Sequence, residues 1–150
     1  MKKNKIEIVN CKLTMADKKF LKKILENLIS LAKIKDKIAI SLVLMEDYDI
    51  KKINKLFRNK DKITTVLYFP LLTKKPKFIL PRNILYLGDI ILNIERIRKN
   101  SKDRKEFRLF IKENLVHAFL HLLLYSHNKI ADQRKMGKKE KELLKELDAI

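Results

Sequence analysis

The sequence predicts an α+β (mixed α/β) fold: a small mixed sheet of about four strands with helices packed on it. Three observations carry this. Short β-rich runs alternate with amphipathic helical stripes early in the chain, and helices dominate late. No internal repeat or low-complexity linker divides the 150 residues, which read as a single domain over 1–150. Hydrophobic residues make up 46% of the chain, enough for one sizeable core that folds unaided.

The elements follow in order. Ile6 to Asn10 (IEIVN) is short and β-rich, a first strand. Thr14 is placed to cap a helix from about Met15 to Lys33, whose apolar positions Phe20, Leu21, Ile24, Leu25, Leu28, Ile29 and Leu31 form a broad stripe. Ile38 to Met45 is a nearly continuous apolar run and reads as a buried strand. Asp47 is the candidate cap of the next helix, DIKKINKLFRN. Thr64 to Phe69 is a third strand stopped by Pro70, and LLTKKPKFILPRN, with two more prolines, reads as loop or a short edge piece. Ile84 to Asn93 is a further strand whose interior Gly88 signals a bulge or a close backbone approach. Ile94 to Lys99 begins a short helix, and Lys105 to about Leu124 forms a long one. A last amphipathic helix runs from Lys138 to Leu147 with Leu143, Leu144 and Leu147 inward.

Composition narrows the function classes. The single cysteine, Cys11, excludes an internal disulfide and reads as a small buried hydrophobe rather than a reactive thiol. No apolar run approaches the ~20 residues of a membrane span. MKKNKIEIVN lacks the apolar core of a signal peptide, so a cytoplasmic protein is expected. Lys and Arg number 36 against 18 Asp and Glu, a formal charge of +18. An AT-rich genome or thermophilic enrichment explains many lysines but not so few matching acids. A polyanionic partner, nucleic acid, is the better account.

The chemistry-bearing residues concentrate in one window. The only histidines are His117, His121 and His127, spaced H-x3-H-x5-H. Neutral imidazole is the commonest metal ligand, and three with an open fourth position form a catalytic zinc site. His117 and His121 are i and i+4, so they share a helix face. On an unbroken helix His127 would lie ~9 Å further along the axis and well off that face. A three-histidine site therefore requires the helix to end near Leu124-Tyr125-Ser126. Met-turn zinc proteases use the same spacing with Gly at the position of Leu124. Here Leu124 would carry any left-handed conformation at roughly 1–2 kcal/mol. The alternative makes His117 and His121 core or surface histidines and His127 a C-terminal helix cation. Ala118 stands where a zinc protease carries its general-base Glu, so peptidase chemistry is not supported.

Two further segments stand out. Asn54 to Pro70 leads from a helix through a polar turn into a strand, and Arg58 within it is either a surface cation or a guanidinium that grips phosphate bidentately. Asp89, beside Gly88 in an apolar strand, needs a partner; it either orients a ligand histidine or caps local backbone N–H groups.

Together, in this order, these segments resemble the YbeY family of single-metal endoribonucleases, also called ribosomal RNA maturation factors. The family's H-G-x-L-H-L-x-G-Y-D-H is matched at His117, Leu120, His121, Leu122, Tyr125 and His127. Its upstream signature, close to N-x-x-x-R-x-K-D-x-x-T-D-V-L-S-F-P, is matched at Asn54, Arg58, Lys60, Asp61, Thr64, Val66, Leu67, Phe69 and Pro70. L-G-D-I matches at Leu87 to Ile90, and the family's late Met and acid look like Met136 and Glu140. The chain departs from the pattern at Ala118, Leu124, Ser126, Thr65 and Tyr68, where the family has Gly, Gly, Asp, Asp and Ser. None of these removes a ligand.

The resemblance implies zinc, or another divalent metal, held by His117, His121 and His127. It implies cleavage of single-stranded RNA, with Arg58 clamping the phosphate and Asp89, Gly88, Asn54 and Thr64 in supporting positions. The implied substrate is precursor RNA of the small ribosomal subunit, the implied partners are ribosomal components, and the implied role is rRNA maturation and ribosome quality control. The rival reading is a non-catalytic RNA-binding ribosome-assembly factor whose metal is structural; a hydrolase of some other phosphoester is a weaker third.

Overall fold

Two long apolar runs form the centre of the sheet. The computed structural model describes residues 4–9, 12–71, 79–80 and 84–148. In it the elements are β1 (Lys5–Val9), α1 (Met15–Leu31), β2 (Lys37–Met45), α2 (Asp47–Arg58), β3 (Val66–Pro70), β4 (Ile79–Leu80), β5 (Ile84–Asn93), α3 (Ile94–Asn100), α4 (Arg104–Leu122) and α5 (Ile130–Leu147). The strand order is β1-β2-β5-β3, with the two-residue β4 paired to the start of β5. β1 and β5 run parallel to β2, and β3 runs antiparallel to β5. This is the expected small mixed sheet, and helices complete an α+β fold.

The pleat divides the sheet into two faces. Ile38, Ile40, Leu42 and Leu44 of β2 and Leu85, Leu87, Ile90 and Leu92 of β5 pack with α1, α4 and α5 in the main core. On the other face Leu67 and Ile91 meet Ile50 of α2, flanked by Val43, Met45, Ile53 and Phe69. The step from Leu87 to Ile90 on one face breaks the period of two. There the register jumps from Ala39 opposite Tyr86 to Ile40 opposite Gly88. Gly88 has φ +132°, and a Cβ on it would sit 2.2 Å from the Phe69 carbonyl oxygen. The bulge and the close approach that Gly88 signalled thus occur together.

Several boundaries differ from the sequence reading. α5 begins at Ile130, eight residues before Lys138, because the helix continues through Gly137, beside which nothing lies within 4 Å. Among its polar early turns only Met136 is buried, so the apolar stripe that marks a helix starts late. β3 begins at Val66 rather than Thr64 and includes Pro70. The expected edge piece is β4, while Asn10 and Cys11 lie outside the described residues. Thr14 caps α1 as expected, its hydroxyl accepting from the Asp17 N–H at 3.2 Å. Asp47 does not cap α2. Glu46 holds that position without a side-chain bond, and Asp47 is the first helical residue. Its carboxylate turns instead to α3, accepting from Asn93 Nδ2 at 2.8 Å and from Arg96. No described helix is long and apolar enough to cross a membrane.

Candidate metal centre

The site is built where α4 ends. Ala118, Phe119, Leu120 and Leu122 are buried, which anchors the last turns of α4 in the core and fixes the pitch on which His117 and His121 stand. The helix stops at Leu122, and Leu124 adopts φ +70°. Tyr125 N–H donates to the Leu120 carbonyl and Leu124 N–H to the His121 carbonyl, both at 3.0 Å. These are the two bonds of a Schellman cap, with leucine in the left-handed position that glycine usually takes. The turn carries the chain back so that His127 faces the other two rings. From α5, Gln133 Nε2 donates to the His127 carbonyl at 2.8 Å and Asp132 accepts from the Ser126 hydroxyl at 3.4 Å.

The three imidazoles converge. One ring nitrogen from each lies within 4.8 Å of the others. His117 Nε2 and His121 Nε2 are 3.2 Å apart, and the His127 ring centroid is 4.9 Å from that of His121. His121 is buried, His117 half-buried and His127 exposed, so the group opens to solvent on one side.

The far nitrogens explain the orientation. His121 Nδ1 is 2.9 Å from the Tyr125 carbonyl, which only accepts, so Nδ1 carries the proton. The Glu140 carboxylate lies 3.6 Å from His117 Nδ1 and favours the same tautomer there. The two Nε2 atoms face each other at 3.2 Å. Burial, the adjacent His117 and the further charges of His127 and Arg58 push His121 down to about 4, against the Tyr125 carbonyl's opposite effect. Three converging ring nitrogens could hold a metal ion, and an all-imidazole donor set suits zinc, copper, iron and nickel alike.

The other residues singled out in the sequence divide into those near this centre and those away from it. Arg58 is brought to it through Tyr68. Its Nη2 donates to the Tyr68 carbonyl at 2.9 Å and its guanidinium carbon lies 4.4 Å from the Tyr68 ring. That ring stacks on His121 with centroids 4.0 Å apart and planes 6° from parallel. Among the described residues, Asp89 neither accepts from a ligand histidine nor caps backbone N–H groups. It pairs with Phe69, one residue along from Tyr68, so the pleat sends it to the opposite face, where it accepts from the Tyr86 hydroxyl. The bulge at Gly88 is what puts Tyr86 and Asp89, three apart, on one face. That carboxylate and burial push the Tyr86 phenol up to about 12, burial contributing most. Asn54, buried, donates to the Lys62 carbonyl at 3.0 Å and holds the polar turn before β3. The Thr64 hydroxyl donates to the Val66 carbonyl at 3.3 Å, and the Thr64 carbonyl accepts from Asn93. Both serve the turn rather than touching the histidines.

Two contributors escaped the sequence reading as site residues. Glu140 was legible only as the match to the family's late acid, four residues after Met136, with no role given to it. Tyr68 was legible only as a large residue in a position the family keeps small.

Comparisons with known proteins agree with this geometry. The family model described as Endoribonuclease YbeY matches residues 3–148. A protein of that name from Pelagibacter ubique is 41% identical over 105 residues, covering 69% of this chain and 66% of its own. One from Persephonella marina is 36% identical over 113 residues, covering 75% and 71%. One from Thermodesulfovibrio yellowstonii is 30% identical over 158 aligned positions, covering 95% and 96%. The solution structure of a Thermotoga maritima protein superposes with a TM-score of 0.63 at 25% identity, covering 94% of this chain and 87% of that one. The chain belongs to the YbeY family.

Proposed function

We propose that this YbeY-family chain is a zinc-dependent, single-strand-specific endoribonuclease of the cytoplasm. It would act in small-subunit ribosomal RNA maturation and ribosome quality control, with ribosomal components as partners. The observation that carries the reading is the convergence of His117, His121 and His127, with two far nitrogens engaged by Tyr125 and Glu140. The names of the relatives and the net charge of +18 support RNA as the polyanion.

In this reading His117, His121 and His127 hold the metal. When bound, such an ion supplies a Lewis acid and brings water towards hydroxide near neutral pH, so no dedicated carboxylate base is needed. The chain's residues do the rest. Glu140 and the Tyr125 carbonyl retain the Nδ1 protons and so keep the Nε2 lone pairs available. Tyr68 holds the His121 ring plane. Arg58, half-buried beside Tyr68, clamps the scissile phosphate and offsets the charge that builds on it in the transition state. Thr64, Asn54, Gly88 and Asp89 set the shape of the strand and turn that carry Arg58 and Tyr68.

The alternative, an RNA-binding assembly factor with a structural metal, is favoured by one observation: the Arg58 guanidinium is already engaged by the Tyr68 carbonyl and ring. One experiment separates the two. Zinc-loaded protein should cleave single-stranded RNA and spare duplex. His121→Ala should lose metal by elemental analysis, keep RNA binding, and cut at least about a hundredfold more slowly, given the several kcal/mol that a metal supplies. Wild-type protein that holds zinc, binds RNA and never cuts it would establish the assembly factor.

A further inference from the structure

A chain of ring and guanidinium contacts leads from the histidines to the surface. Tyr68 stacks on His121 at 4.0 Å, and Arg58 lies 4.4 Å from the Tyr68 ring and 6.0 Å from the Phe69 ring. Phe69 meets Phe57 edge to face at 5.5 Å. Tyr68 and Phe69 point to opposite faces of the sheet. Arg58 bridges them because β3 is an edge strand, and its outward Tyr68 carbonyl is where the guanidinium docks. The path therefore crosses the sheet edge, from the metal centre on one face to α2 on the other.

Phe57, at its end, is 64% exposed although it closes the last turn of α2. A phenyl ring left in water beside a packed neighbour has no role in the core. Lysines are exposed along α2 and the turn that follows: Lys51, which pairs with Asp61 at 4.0 Å, Lys52, which lies over the Tyr48 ring, and Lys55, Lys60 and Lys62. An exposed aromatic ring, an arginine and a lysine track are the elements with which proteins hold single-stranded nucleic acid. The ring stacks a base and the cations follow the backbone.

We propose that Phe57 is a base-stacking post. It would hold a nucleotide flanking the phosphate at Arg58, so that a single strand crosses the β3 edge with its backbone along the α2 lysines. The occupant is RNA rather than a protein segment, because the cations of this segment (Lys51, Lys52, Lys55, Arg58, Lys60 and Lys62) outnumber its acids (Asp47, Asp49 and Asp61), an excess that a polyanion neutralises. The inference rests on the proposed RNA-cleaving function and names the surface that serves it. It also accounts for a preference for single strands, since a duplex keeps its bases stacked on each other and offers none to Phe57.

The test measures binding of a labelled ten-nucleotide 2′-O-methyl phosphorothioate strand to the metal-loaded protein by fluorescence anisotropy. Phe57→Ala should weaken binding about 5- to 150-fold, the range for one stacked base, while Phe57→Trp retains it. Leu56→Ala, even more exposed and one residue away, should change nothing. An abasic strand with the same backbone should bind wild type and Phe57→Ala equally. Unchanged affinity of Phe57→Ala for the base-bearing strand overturns the post, and leaves Phe57 to a protein partner. Equal losses on the base-bearing and abasic strands overturn it too. Failure of wild type to bind either strand instead removes the RNA reading on which the post rests.

Discussion

Two polar clusters sit at the ends of buried elements, and they are assembled in opposite ways. Around Asp47 every charge has a counterpart. The carboxylate takes both prongs of Arg96 and the Asn93 amide, with Lys99 3.6 Å away, and the Asp47 N–H donates to Glu95. At the end of α4 three imidazole rings crowd together, with ring nitrogens facing and one side open to solvent. The first cluster is complete and locks α2 to α3. The second is open, and its three ring nitrogens could hold a cation. A closed polar network points to structure, whereas an open one with like groups converging points to a site.

The contrast can be broken most decisively at Glu140. If it orients His117, Glu140→Gln should lower metal affinity or cleavage about 10- to 100-fold, with little change in melting temperature. Competitive metal titration reads this directly, and an unchanged affinity would leave Glu140 as a surface acid. The complete cluster should behave the other way. Asn93→Ala leaves Asp47 and the Thr64 carbonyl short of a donor, and should cost about 1–3 kcal/mol of stability in a denaturant titration without displacing metal.

Acid sharpens the same point. Burial raises the Asp47 pKa, but the bonds from Arg96 and Asn93 outweigh it and hold the carboxyl at about 2, against 3.8 ordinarily. The unfolded chain thus binds the proton more readily than the folded one. The stability that Asp47 contributes is present above about pH 4 and is lost as pH falls towards 2. The difference in unfolding free energy between wild type and Asp47→Asn should shrink over that window. A difference that stays constant would show that the network does not select the charged form.

The smallest effect lies at Leu124. Its left-handed backbone costs roughly 1–2 kcal/mol, part of which glycine returns as extra freedom in the unfolded chain. Leu124→Gly should raise stability by up to about 1 kcal/mol and leave metal binding intact. A fall in the melting temperature would mean that the leucine side chain contributes more to the turn than its backbone costs.

Much of this was legible in the chain. The apolar runs at Ile38–Met45 and Ile84–Asn93 specify their strands because run length and β-branching are local properties. The i, i+4 spacing of His117 and His121, with His127 six residues on, meant that a site using all three needed a break near Leu124, since helix pitch is invariant. The tertiary structure alone decided what lies across from these residues. Whether Asp89 faced the histidines turned on strand register and the bulge at Gly88, which one residue's slip would reverse. That Glu140 reaches His117, that Tyr68 stacks on His121, and that Arg58 wraps the β3 edge depend on how α5, β3 and α2 dock. Spacing along one element says nothing of the element that packs against it.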